Sequence, residues 1–224
     1  MTNGTMIDST GESLPGLLAA LGSNSPDTFA TYVTGSGIVP ATSSDLSELA
    51  ARAGLFTYDQ TPELETFGVG GADGADIEAQ AGTFVNVVTQ TVKREARGWY
   101  SWWYFSSDSL DQARQLVTSN GFKRVQYIVA NWALSQSEAV AFMEANSDVS
   151  AVQWASPSSN PNTICPGTNR TLGELGVDLN VTRPGWFVKS TVTTAPAPNF
   201  KGVVVLSDLS TVAVTSNDKK TWSS

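Results

Sequence analysis

Two acidic side chains separated by one isoleucine, Asp76 and Glu78 in the stretch "GADGADIEAQAGT" (71–83), have a spacing that could do chemistry. Residues two apart on an extended strand share a face, so both carboxylates can enter one cleft. Clustered carboxylates raise one another's pKa, and partial burial raises it further. One can then stay protonated as a general acid while another stays ionised, the division that glycosidic-bond hydrolysis requires. Taken alone, the same triplet also reads as an acidic strand end with no chemistry.

The rest of the composition narrows the choice. The 224 residues include no histidine, which removes Ser-His-Asp and Cys-His nucleophiles, HExxH zinc sites and any imidazole acid or base. One cysteine, Cys165, permits no internal disulfide. No GxSxG elbow or Walker A loop is present. "GVGGADG" (68–74) leads into a strand-like segment rather than opening a helix, so its glycines read as turn formers and not as a dinucleotide loop. No cofactor is expected. Acidic clusters can bind Mg²⁺ or Ca²⁺, but no residue set dedicated to a metal stands out.

Net charge is −8 and the pI is near 4.5, so the basic stripe that releases phosphate counterions is missing and no nucleic-acid partner is expected. The cluster "VKREAR" (92–97) reads as the solvated face of a helix. No apolar run approaches the roughly 18 residues that span a bilayer, and "MTNGTMIDSTGES" has no basic or apolar leader region. Neither a membrane segment nor a secretory signal peptide is expected.

Elements must position these acids. Eight strand candidates recur at 5–9, 28–34, 55–60, 74–78, 99–105, 125–132, 151–155 and 176–181. Helical spacing occupies 13–21, 42–54, 82–97, 109–121 and 135–146, with capping signals at Ser135/Glu138 and stops at Gly54 and Gly121. Strands alternating with helices predict an α/β fold with a parallel sheet and right-handed crossovers. Eight units over residues 1–188 suggest a small (β/α)8 TIM-like barrel, although periodicity alone also allows a doubly wound open sheet. A Thr/Ala/Pro linker (189–201) follows, then a β-rich arm (202–224) that could pair as a hairpin. Such an arm cannot hold a core alone and would dock on the barrel, on another subunit or on an assembly.

In a parallel barrel the chemistry sits at the C-terminal strand ends. Asp8 in "MIDS", Asp59 in "TYDQ", Asp76 and Glu78 in "GADIE", and Asp178 in "VDLN" are placed there. Asp8 on the first strand and Asp178 on the last become neighbours when the barrel closes. Aromatics crowd the second half. Most of them suit the core, while Trp132 and Trp154, ending their strands, are candidates for stacking on sugar rings. Tyr104, Asn131 and Gln153 complete the candidate binding set.

With these residues in view, the chain resembles the lysozyme-like glycoside hydrolases of family 25 and related glycoside hydrolase-like domains of bacteria and phages. The resemblance rests on "MIDS", "ADIE", "YIVANW", "VQWAS" and "GVDLNV" in that order across residues 5–187. It implies an N-acetylmuramidase acting on peptidoglycan, with Glu78 as general acid and Asp76 positioning the substrate acetamido group or stabilising the transition state. Asp8 and Asp178 would complete an acidic floor. It also implies a phage lysin or virion component, held in the host cytoplasm before release or carried on the particle, and acting on the cell wall. The segment "ASPSSNPNTICPGTNRTLGELG" (155–176) and the aromatic-heavy "SWWYFSS" depart from the family pattern. The second reading is a catalytically inactive barrel that serves as a glycan-binding or structural virion component.

Overall fold

The computed structural model describes residues 2–34, 39–59, 74–79, 83–186, 201–205 and 211–215. The glycine-rich approach at 68–73 and nearly all of the expected linker lie outside these residues. In chain order the elements are β1 (Gly4–Ser9), α1 (Leu14–Leu21), β2 (Thr28–Thr34), α2 (Ser43–Arg52), β3 (Gly54–Asp59), β4 (Gly74–Glu78) and α3 (Val85–Glu95). Then come β5 (Ser101–Ser106), α4 (Leu110–Asn120), β6 (Val125–Ala130), α5 (Gln136–Ala145), β7 (Val149–Ala155), α6 (Leu172–Leu175), β8 (Val177–Thr182), β9 (Lys201–Val205) and β10 (Thr211–Thr215).

Local chemistry sets the helix ends. Thr42 caps α2: its hydroxyl accepts from the Asp45 N–H at 3.2 Å, and the Asp45 carboxylate accepts from the Thr42 N–H at 2.9 Å. Each interaction satisfies a donor that the first helical turn leaves open. Ser135 and Glu138 form the same reciprocal box on α5. At the end of α4, Gly121 takes φ of 70°, a conformation in which a side chain would be strained. Thr42→Ala should therefore lower stability by about 1 kcal/mol in a urea melt, with the slope unchanged. An unchanged midpoint would show that the box contributes nothing.

Strands β1 to β7 pair in sequence order, and every pairing is parallel. β8 runs antiparallel to both β7 and β1. The fold is therefore mixed α/β: a curled sheet of seven parallel strands whose two edges are both hydrogen-bonded to β8. Eight parallel strand–helix units are not what forms. The physical reason is the connection before β8. A parallel strand needs a crossover that returns the chain to the opposite end of the sheet. Residues 156–176 hold only the four-residue helix α6, so they leave β7 and re-enter β8 at the same end.

Alternation splits each strand between two environments. Outward residues pack under the helices in two clusters. Ile7, Phe29, Val177 and Leu179 meet Leu14, Leu17, Leu46 and Leu49 of α1 and α2. Ile77, Trp103, Phe105, Val129 and Val152 meet Val87, Ala113, Ala139 and Met143 of α3, α4 and α5. Inward residues Met6, Ala30, Trp102, Ile128 and Ala151 fill the middle of the curled sheet, with Trp186 packed against them. The close packing of this interior layer makes it a core and not a pore. Arg183, just past β8, ties its guanidinium to the Met143 and Asn146 carbonyls at the end of α5. β9 and β10 form a two-stranded antiparallel ribbon, and β9 lies against α3. Among the described residues no helix is long and apolar enough to cross a membrane.

Candidate active site

The inward face carries polar residues at the end of the sheet where β1 to β7 finish. β1 contributes Asp8, which is directly opposite Asp178 of β8 in the antiparallel register. β4 contributes Glu78, in register with Tyr104 of β5. β7 contributes Gln153, in register with Asn180 of β8. β2 contributes Tyr32, two residues beyond the inward-facing Ala30. Residues from six strands, β1, β2, β4, β5, β7 and β8, thus meet around one mouth.

Hydrogen bonds join the set. The Tyr32 hydroxyl donates to Glu78 Oε1 at 2.8 Å. Gln153 is a hub with no exposed surface. Its Oε1 accepts from the Tyr104 hydroxyl at 2.6 Å and from Trp132 Nε1 at 2.9 Å, and its Nε2 donates to Asp8 Oδ2 at 3.0 Å. One amide therefore fixes two aromatic side chains and one carboxylate.

The electrostatics follow from burial. Asp8 is 5% exposed. Removal from water pushes the Asp178 carboxyl up to about 7, because the charged form is the one that loses hydration. Burial also holds the Tyr32 hydroxyl protonated well above its ordinary value, and the nearby charges of Asp8 and Glu78 add to the effect. Tyr32 is thus a hydrogen-bond donor at any working pH. Tyr32→Phe should remove one donor to Glu78 and lower stability by about 1.5–3 kcal/mol in a urea melt, the net worth of a hydrogen bond on a charged group. An unchanged midpoint would show that this contact does not hold Glu78.

The expected residues fall into four groups. Asp8, Glu78, Asp178, Tyr104 and Gln153 converge on the mouth. Asp178 does so for a different reason from the one the sequence suggested, since it sits at the start of β8 and reaches the mouth only because β8 is reversed. Asn131 and Trp132 lie just past β6, which ends at Ala130, and not on the strand itself. The Asn131 side chain holds the turn there, donating to Ser107 Oγ at 3.0 Å and accepting from the Ala133 N–H at 3.2 Å. Trp154 is a correction. It follows the inward-facing Gln153 by one residue, so alternation itself puts it on the outer face, where it packs against both outer clusters instead of facing the mouth.

Asp76 and Asp59 are described in backbone only. Asp76 is in register with Tyr58 and Trp102, and Asp59 with Thr34 and Ile77. The expectations about their side chains lie outside the described residues. Tyr32 was not foreseen, although alternation along "TFATYVT" puts it on the face of Thr28 and Ala30. Among the described residues no group of three or more His, Cys, Asp or Glu side chains is arranged to hold a metal ion.

In chemical terms the mouth offers carboxylates in different environments. Asp178 is poised to remain protonated near neutrality, Glu78 is oriented by a phenol, and Asp8 is oriented by an amide. Such a set can supply and accept protons and can stabilise positive charge without histidine. Comparison of the chain with protein-family models, with curated proteins and with solved structures returns no match.

Proposed function

We propose that the mouth cleaves a glycan, most specifically that the chain is a lysozyme-like N-acetylmuramidase acting on peptidoglycan. The supporting observation is the convergence of Asp8, Glu78 and Asp178 on one inward-facing polar layer in a chain without histidine. In this reading the curled sheet with its reversed closing strand is a shortened form of the TIM-like barrel. Glu78 protonates the leaving glycosidic oxygen, and Asp76 positions the acetamido group or steadies the oxocarbenium-like transition state. Asp8 and Asp178 make the acidic floor. A phage lysin or virion-borne enzyme suits this activity.

The second reading keeps the mouth and removes the turnover, leaving a glycan-binding or structural virion component. It draws on the internal hydrogen bonds, because Glu78 and Asp8 already accept from Tyr32 and Gln153. It draws also on the β9–β10 ribbon, which could dock on an assembly.

Purified cell walls separate the two. Hydrolase activity predicts falling turbidity with new reducing ends appearing in step. Retained wall binding without new reducing ends would sink the enzymatic reading and leave the second.

A further inference from the structure

We infer that the cleft between the loops after β5 and β6 is a subsite for one pyranose unit of the glycan, with the Trp132 ring as its stacking surface and Asp108 as its hydroxyl acceptor. This assignment rests on the glycan reading of the mouth and specifies where one of the sugar units lies.

The cleft has a volume of about 470 Å³, and its lining includes Ser107, Asp108, Ala130, Asn131, Trp132 and Ala133. That volume is in the range of small-molecule sites, which commonly run from about 300 to 1,000 Å³. The lining is suited to a sugar, with an aromatic ring and two alanine methyl groups for the apolar face of a pyranose, and a carboxylate and hydroxyls for its rim. Trp132 is 43% exposed, which is unusual for a residue of its size. Its exposure is also directed. The indole N–H edge is turned inward onto Gln153 at 2.9 Å, so the exposed surface belongs to the remainder of the ring.

The floor is fixed before any ligand arrives. Asn131 is committed to Ser107 Oγ and to the Ala133 N–H, which ties the two loops together across the cleft. Asp108 lies in the 3-10 turn Ser107–Ser109 that leads into α4, and it is exposed. A carboxylate can accept from two adjacent sugar hydroxyls, and charge-assisted bonds of this kind are roughly twice as strong as neutral ones. The subsite is also connected to the carboxylates. Gln153 holds Trp132 through its Oε1 and Asp8 through its Nε2, so a sugar seated on the indole lies one amide away from the acidic floor.

The test is titration of the Glu78→Gln chain with N-acetylglucosamine oligomers of defined length, followed by calorimetry and by tryptophan fluorescence. Trp132→Ala and Asp108→Asn, each placed in the Glu78→Gln background, should weaken binding about tenfold or more, whereas Trp132→Phe should recover most of the affinity. Thermal melts of each variant exclude loss of fold as the cause. Unchanged affinity in Trp132→Ala and Asp108→Asn would overturn the subsite, as would an absence of oligomer binding by the Glu78→Gln chain. Because that chain is read for binding and the wild type for reducing ends, binding without turnover overturns only the hydrolase reading. Turnover without any effect at Trp132 and Asp108 overturns only the subsite.

Discussion

Glu78→Gln is expected to lower the release of reducing ends from purified cell walls by about 10²- to 10⁴-fold, the range that removal of a positioned general acid covers. The substitution is close to isosteric, and the amide oxygen can still accept the hydrogen bond that the Tyr32 hydroxyl gives to Glu78 Oε1. What disappears is the dissociable proton. The melting temperature should therefore stay close to that of the wild type while turnover collapses. Wall binding, which depends on shape and stacking, should persist. A variant that clears walls at the wild-type rate would remove Glu78 from the chemistry and direct attention to Asp8 and Asp178.

The second large effect concerns pH and stability. Asp178 has its folded-state pKa near 7, above the ordinary value of 3.8, because folding removes it from water. Between these two values the unfolded chain has already released the proton that the folded chain still holds. Rising pH therefore favours unfolding across that window, and the cost is complete above about pH 7. Each factor of ten in proton affinity is about 1.4 kcal/mol, so the full penalty is on the order of 4 kcal/mol. Asp178→Asn cannot ionise and should escape it. The variant should match the wild type near pH 4 and exceed it at pH 8, as read by chemical denaturation at both values. Carboxylates held low by their partners, such as Asp148 beside Arg114, lose stability in the opposite direction as pH falls. The difference between variant and wild type cancels them. Equal stability at pH 8 would show that Asp178 is not carrying a buried charge there.

That the most stabilising change falls on a mouth residue fits a general trade between activity and stability. Asp178 faces Asp8 directly across the antiparallel register, a pairing of like groups that no fold would select for its own sake. Its presence is accounted for if the pair acts on something.

The strands were legible because their signal is local. Alternation and β-branched residues gave 28–34 and 74–78 at their observed limits, and the helices came from caps and glycine stops. The convergence of Asp8, Glu78 and Gln153 followed from the same alternation once the strand order was assumed. The direction of β8 was not legible in that way, because a six-residue strand reads alike in either sense. A clue lay elsewhere: residues 156–176 contain no helical stretch long enough for a crossover. Trp154 was misplaced because the expectation rested on its position at a strand end, whereas its neighbour Gln153 faces inward and alternation sends Trp154 outward. Trp132 was placed on a strand that stops at Ala130, where the chain turns to seat Asn131 against Ser107. Alternation alone puts Tyr32 on the inward face, but a tyrosine in a strand carries no signal that separates a site role from packing.

The reversed closing strand has a further result. β1 starts and β8 finishes side by side, since Gly4 and Thr182 are register partners. The segment Gly4–Thr182 therefore enters and leaves the curled sheet at neighbouring points on the side away from the mouth, the arrangement that insertion of a unit into a host loop generally requires.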